Sequence, residues 1–118
     1  MSTENDCKKQ EEYSVDTKCQ LNDARLKDIW GAVSYPIYQT ATFAHKGLGE
    51  STGFDYTRMQ NPTRQQLEAV VALLENGKDA IAFASGMAAV AAVMELFSPG
   101  DHFIIDSDLY GGSVRLFN

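Results

Sequence analysis

Two short apolar runs, at 79–84 (Asp-Ala-Ile-Ala-Phe-Ala) and 102–106 (His-Phe-Ile-Ile-Asp), each break into a glycine-bearing turn followed by a helix-competent segment. Runs of this length, bounded by turns and lacking a helical repeat, have the pattern of strands buried on both faces. Strands joined through a helix lie parallel with a right-handed crossover, and ligands of such sheets sit at the carboxyl ends of the strands. Both turns, Ser85-Gly86-Met87 and Asp108-Leu109-Tyr110-Gly111-Gly112, follow such ends. The pattern predicts an α/β fold.

The helices around these runs are marked by their own signals. At Asn61-Pro62-Thr63, Asn or Thr can cap a helix, and proline in the first turn gives up no needed hydrogen bond. Leu67, Val70, Val71 and Leu74 then fall at i, i+3, i+4 and i+7, which predicts one apolar face, and Asn76-Gly77 supplies a left-handed stop. Met87 to Phe97 is alanine-rich and apolar nearly all round, as expected of a helix covered on several sides, and Ser98-Pro99-Gly100 ends it. Gly111-Gly112 opens a further helix that runs to Asn118.

Upstream, the composition changes twice. Residues 1–28 are rich in Glu, Asp, Lys, Gln and Asn, with too few apolar positions for a packed element, and read as a polar mobile tail. Residues 29–60 carry Trp30, Tyr35, Tyr38, Phe43, Phe54 and Tyr56 among turn formers without a helical period. Irregular stretches of this length are uncommon inside a compact domain, and the aromatic content favours packing over disorder. Residues 61–118 hold the regular elements.

The charge and the thiols narrow the partners. Ten basic residues stand against sixteen acidic ones, a formal charge of −6, and the only adjacent basic pair, Lys8-Lys9, lies in the acidic tail. That argues against nucleic acid. The longest uncharged apolar stretch, Ala80 to Met94, is too short to span a bilayer and is broken by Ser85-Gly86. The opening Met1-Ser2-Thr3-Glu4-Asn5-Asp6 lacks the basic start and apolar core of a secretory signal. Cys7 and Cys19 have no CxxC spacing, and His45 and His102 are too scattered to complete a metal site, so the expectation is free thiols in a cytoplasmic protein without a metal.

Three sets of residues are candidates for chemistry. Ser85-Gly86-Met87, where an apolar run meets a helix, can present unpaired N–H groups and the helix dipole to an anion. On these residues alone, a plain turn needing glycine for its φ angle is the better account. Tyr56-Thr57-Arg58 places a phenol and a guanidinium on the same side of an extended segment, suited to one phosphate, or leaves an exposed arginine beside a packing tyrosine. Tyr110, on a glycine-flexed turn, can stack on a planar cofactor or plug the core.

Order and spacing change this balance. The succession Tyr56-x-Arg58-x-x-Asn61-Pro62-Thr63, Leu67-Glu68, Leu74-Glu75-x-Gly77, Ser85-Gly86-Met87-Ala88-Ala89, Pro99-Gly100-Asp101 and Asp108-Leu109-Tyr110-Gly111-Gly112 closely resembles the Cys/Met-metabolism family of pyridoxal-phosphate enzymes, from about Leu26 to Asn118. The family includes cystathionine γ-synthase, cystathionine lyases, O-acetylhomoserine sulfhydrylase and methionine γ-lyase. The resemblance implies a piece of a fold-type-I, aspartate-aminotransferase-like enzyme: an intersubunit arm at 29–60 and the start of the parallel-sheet domain that binds pyridoxal 5'-phosphate at 61–118.

By the same resemblance, Ser85 and the backbone of Gly86 and Met87 bind the cofactor phosphate, and Tyr110 stacks on the pyridine ring. Tyr56 and Arg58 reach the phosphate of a neighbouring subunit in a homodimer or homotetramer. The implied reaction is elimination or replacement at the β or γ carbon of a sulfur amino acid or activated homoserine. Methionine γ-lyases typically carry cysteine where this chain has Gly112, which counts against that reaction. The family's Schiff-base lysine, in a Ser-x-Thr-Lys setting, and the aspartate facing the pyridine nitrogen lie downstream of the matched blocks. Lys18, in Ser14-Val15-Asp16-Thr17-Lys18, has the wrong spacing. The 118 residues by themselves are therefore expected to lack normal catalysis. The rival expectation is a non-catalytic truncated or split-gene product that needs a separate C-terminal half.

Overall fold

The computed structural model describes residues 13–21 and 30–118. Four helices occur among them: α1 (Val15–Lys18), α2 (Pro62–Leu74), α3 (Gly86–Met94) and α4 (Gly111–Phe117). The chain divides into two compact units, Met1–Ile81 and Ala82–Asn118.

In the first unit, the start of α2 organises the rest. Asn61 is the N-cap: its side-chain oxygen accepts from the Thr63 amide at 2.8 Å, and Pro62 occupies the first turn, where its missing N–H costs nothing. The Asn61 amide group donates to the Tyr38 carbonyl at 3.2 Å and to the Thr57 hydroxyl at 3.0 Å. The Tyr38 amide in turn donates to the Thr63 hydroxyl at 2.9 Å. Asn61 is 7% exposed, so each of these bonds replaces water that the side chain has lost.

At the other end, Asn76 takes the left-handed conformation with φ 52°, whereas the expected stop involved Asn76-Gly77 together. The Gly77 amide donates to the Ala72 carbonyl at 2.8 Å and the Asn76 amide to the Leu73 carbonyl at 3.4 Å, closing the helix as a Schellman motif. The face predicted to be the core side is covered only in part among the described residues, with Val70 and Leu74 half-buried. Leu67 is 55% and Val71 40% exposed, while Ala72 is buried.

The aromatic arm folds back on itself. Thr42 and Tyr56 form an antiparallel bridge, the Phe43 amide donates to the Asp55 carbonyl at 3.1 Å, and the Thr57 amide to the Ala41 carbonyl at 2.9 Å. Inside this loop the Phe43 and Phe54 rings lie 5.6 Å apart, and His45 pairs with Asp55 at 2.9 Å. The arm thus has local partners that its irregular sequence did not predict.

Part of the stretch read as a polar tail is ordered as well: α1, capped by Ser14, packs on α2, Lys18 is 9% exposed, and the Gln66 amide group donates to the Leu21 carbonyl at 2.7 Å. Residues 1–12 and 22–29 of that tail lie outside the described residues.

In the second unit, Ser85 caps α3, which ends at Met94 rather than continuing to Phe97, and α4 packs against it. Phe97, Phe103 and Phe117 form a row with ring centroids 5.8 and 6.0 Å apart. No residue of α3 is buried, so the cover expected on several sides is not supplied by the described residues. Among the described residues neither run, 79–84 nor 102–106, is paired into a strand. A strand exists only through its ladder, and no neighbouring segment of these residues offers Ile81, Phe83, Ile104 or Ile105 a hydrogen-bonding edge.

Candidate functional site

The amino end of α3 meets the requirements for holding an anion. The Ser85 hydroxyl oxygen accepts from the Ala88 amide at 3.1 Å, and the Ser85 carbonyl accepts from Ala89 at the same distance. The amides of Gly86 and Met87 lie ahead of the first intrahelical bond, where a ligand can take them. The hydroxyl proton of Ser85 remains available as a donor, since the cap uses only the oxygen.

Gly86 is not in the left-handed region, which removes the turn-angle explanation for glycine at this position. A β-carbon built on it meets nothing within 4 Å. What the glycine provides is open space in front of the helix.

Tyr110 heads α4 as its N-cap, its carbonyl accepting from the Ser113 amide at 2.8 Å and from Val114 at 3.2 Å. Tyr110 is 75% exposed and does not plug a core among the described residues. It does meet Met87. A β-carbon placed on Gly112 would stand 2.8 Å from Cε1 of Tyr110 and 3.0 Å from Sδ of Met87, so the ring and the thioether flank one bare Cα. The Ser113 hydroxyl donates to the same sulfur at 3.7 Å. Ser85, Gly86, Met87 and Tyr110 thus lie in one unit, in which α3 and α4 pack together.

Tyr56 and Arg58 belong to the other unit. The segment is a turn, not the extended stretch expected, because the amides of Met59 and Gln60 both donate to the Tyr56 carbonyl, at 3.0 and 2.9 Å. The turn still sets the two side chains on one side, with the guanidinium carbon of Arg58 5.1 Å from the Tyr56 ring centroid. Arg64, which the sequence did not single out, donates to the Met59 carbonyl and pairs with Glu68 at 3.5 Å. With Gln60, Asn61, Asp79 and Ile81 it lines an open groove of about 300 Å³ that includes none of the six residues expected to bind cofactor.

Among the described residues no cluster of His, Cys, Asp and Glu is arranged to hold a metal ion, and no helix is long and apolar enough to cross a membrane. Cys19 is a free, exposed thiol. Cys7 lies outside the described residues.

The sequence model of Cys/Met metabolism PLP-dependent enzymes matches residues 16–118. The chain is 52% identical over 103 residues to a cystathionine gamma-synthase/O-acetylhomoserine (thiol)-lyase of Bacillus subtilis, covering 87% of this chain and 28% of that protein. It is 48% identical over 103 residues to a cystathionine beta-lyase of Coxiella burnetii, covering 87% and 27%. The crystal structure of cystathionine gamma-lyase from Lactobacillus plantarum complexed with L-serine superposes with a TM-score of 0.74 at 40% identity, over 90% of this chain and 28% of that one. The chain thus spans between a quarter and a third of the length of these relatives.

Proposed function

We propose, from the premise that this chain belongs to the Cys/Met metabolism PLP-dependent enzyme family, that it supplies the phosphate cradle and ring platform of an enzyme making or breaking carbon–sulfur bonds. The observation that carries this reading is that the Tyr110 ring and the Met87 thioether both approach Gly112, which places an aromatic ring in the same unit as the open amino end of α3. An anionic group joined to a flat heteroaromatic ring asks for those two features side by side. Bound pyridoxal phosphate supplies an electron sink that lets bonds at the substrate's α, β and γ carbons break.

The chain's own residues hold and orient. The Gly86 and Met87 amides and the Ser85 hydroxyl donate to phosphate oxygens, charge-assisted bonds that fix one end of the ligand. Tyr110 would offer its ring as a stacking platform for the pyridine. Tyr56 and Arg58 serve the phosphate of a neighbouring subunit, with the cation steadied over its own ring in the meantime. In a protein of family length the runs 79–84 and 102–106 become strands of a parallel sheet, and the apolar faces of α2 and α3 are covered. The substrate is a sulfur amino acid or an activated homoserine, the assembly is a homodimer or homotetramer, and the compartment is the cytoplasm.

Subunit complementation tests the reading. In a protein of family length, Arg58→Ala and Gly86→Val each weaken cofactor binding, the first in the partner's site and the second in its own. Mixed dimers hold one doubly damaged site and one intact site, so activity partly returns on subunit exchange. Exchange verified by mass with no recovered activity refutes the shared-site assignment of Arg58.

A further inference from the structure

We infer that Arg64 is a positioning residue for Arg58: from the first turn of α2 its guanidinium fixes the turn that presents Arg58, and this inference rests on the proposed reach of Arg58 to the phosphate of a neighbouring subunit. Arg58 lies between two residues tied to the start of α2. Upstream, the Thr57 hydroxyl accepts from the Asn61 amide group at 3.0 Å and donates to the Thr40 carbonyl. Downstream, the Met59 carbonyl accepts from Nη2 of Arg64. The peptide joining Met59 to Gln60 is thereby held at both ends, since its N–H donates to the Tyr56 carbonyl at 2.9 Å. A cation on the carbonyl of a peptide polarises it and strengthens its N–H as a donor, so the Arg64 bond tightens the closure of the turn.

The bond to Met59 decides the pose of Arg64. Its Nε is buried and faces Oε1 of Glu68 at 3.5 Å without hydrogen-bond geometry. A buried donor in that state is costly, and a closer, forked approach to the carboxylate would relieve it. The side chain forgoes that approach and keeps the Met59 carbonyl. With side chains 37% and 17% exposed, Arg64 and Glu68 offset each other's charge where water is partly excluded. Lysine keeps the charge but lacks the planar fork, and it serves either Glu68 or Met59, not both at once. Arg58 is held differently: its contact among the described residues is the face of Tyr56, a weak hold that a phosphate oxygen can replace. One arginine is anchored so that the other can move from a fixed base.

The test uses Arg64→Lys in a protein of family length, with Glu68 unaltered so that the charge pair survives. Pyridoxal-phosphate binding is measured by equilibrium dialysis, on the variant and on mixed dimers purified through two different tags. Arg64→Lys is expected to weaken binding roughly three- to tenfold, less than Arg58→Ala, and to add nothing in an Arg58→Ala background. Because the lesion acts through Arg58, it falls in the neighbouring subunit's site. Mixed dimers of Arg64→Lys with Gly86→Val are therefore expected to keep one site of unaltered affinity, and mixed dimers of Arg64→Lys with Arg58→Ala none. Unchanged affinity of Arg64→Lys overturns the inference, as does a further loss in the Arg58→Ala background. So does the absence of an unaltered site when Arg64→Lys is mixed with Gly86→Val, which would show that Arg64 supports its own subunit's site. Where Arg64→Lys fails to fold, Glu68→Gln, which removes the charge facing Nε, is read in the same dimers with the same expectations. If mixed dimers of Arg58→Ala with Gly86→Val hold no site of unaltered affinity, it is the shared-site reading of Arg58 that has failed, and this inference falls with it.

Discussion

Arg58 holds its guanidinium 5.1 Å from the ring centroid of Tyr56, across a turn that the Tyr56 carbonyl closes by accepting from Met59 and Gln60. The cation is therefore parked over its own chain's aromatic face. At an exposed site such a contact contributes only about 0.5–1 kcal/mol. Arg58→Ala is thus expected to lower stability by less than about 1 kcal/mol, while weakening cofactor binding by roughly 1.5–3 kcal/mol, one to two decades. Denaturant melts and a cofactor titration on the same samples separate the two effects. Equal losses in both would place Arg58 in the scaffold.

Gly86→Ala tests the open end of α3 with a gentler change than valine. The position is helical and a β-carbon there meets nothing within 4 Å, so the fold accepts the methyl group. Replacing glycine in a helix gains about 0.5–1 kcal/mol. The expected outcome is a protein that melts higher without cofactor and binds cofactor more weakly, because the methyl group occupies the approach to the Met87 amide. Unchanged affinity in the dialysis assay would show that no ligand comes close to this backbone.

Asn61 joins three segments, so its substitutions should be compared. Asn61→Asp keeps the acceptor that caps α2 through Thr63 but loses the donors to Tyr38 and Thr57. Asn61→Ala loses all three bonds. With a cap contributing about 1 kcal/mol and each further bond about 0.5–1.5 kcal/mol, alanine is expected to cost roughly 2–4 kcal/mol, and aspartate no less, because at a site 7% exposed it turns a carboxylate oxygen onto the Tyr38 carbonyl. Equilibrium unfolding of a family-length protein measures both. An aspartate variant distinctly more stable than alanine would mean that the cap, and not the ties to the arm, dominates.

Residues 1–118 produced by themselves are expected to melt without a sharp transition. Among the described residues the buried apolar side chains are those of Pro62 and Ala72, while Ile81 is 73%, Leu96 80% and Ile104 102% exposed. A cooperative transition requires a core that many side chains share. Thermal unfolding followed by far-ultraviolet circular dichroism decides this, and a steep, concentration-independent melt of a monomer would contradict it.

What could be read from the sequence was local. The cap at Asn61, the proline behind it, the stop after Glu75 and the start of α3 behind Ser85 are each decided within four or five residues, and all stand where the pattern put them. The strands at 79–84 and 102–106 were read from apolar continuity, which records burial in a sheet but not the neighbour that makes the ladder. The arm escaped for the opposite reason. Its order comes from pairings between distant residues, such as Ala41 with Thr57 and Tyr38 with Thr63, and these leave no period to detect. At the candidate site the residue types were legible, whereas the collision awaiting a side chain at Gly112 needed the packing of α3 on α4.

The link between Tyr38 and Thr63 closes a loop of 25 residues, and Asn61 seals it from beside. Chains are made from the amino end, and loops this short close far faster than residues are added. The arm can therefore be shut against the first turn of α2 before the second unit has been synthesised. A lesion at Asn61 acts on the nascent chain, leaving Tyr38 held to α2 only through Thr63 while apolar segments emerge behind it. In a protein of family length its mark should be a lower yield of soluble protein.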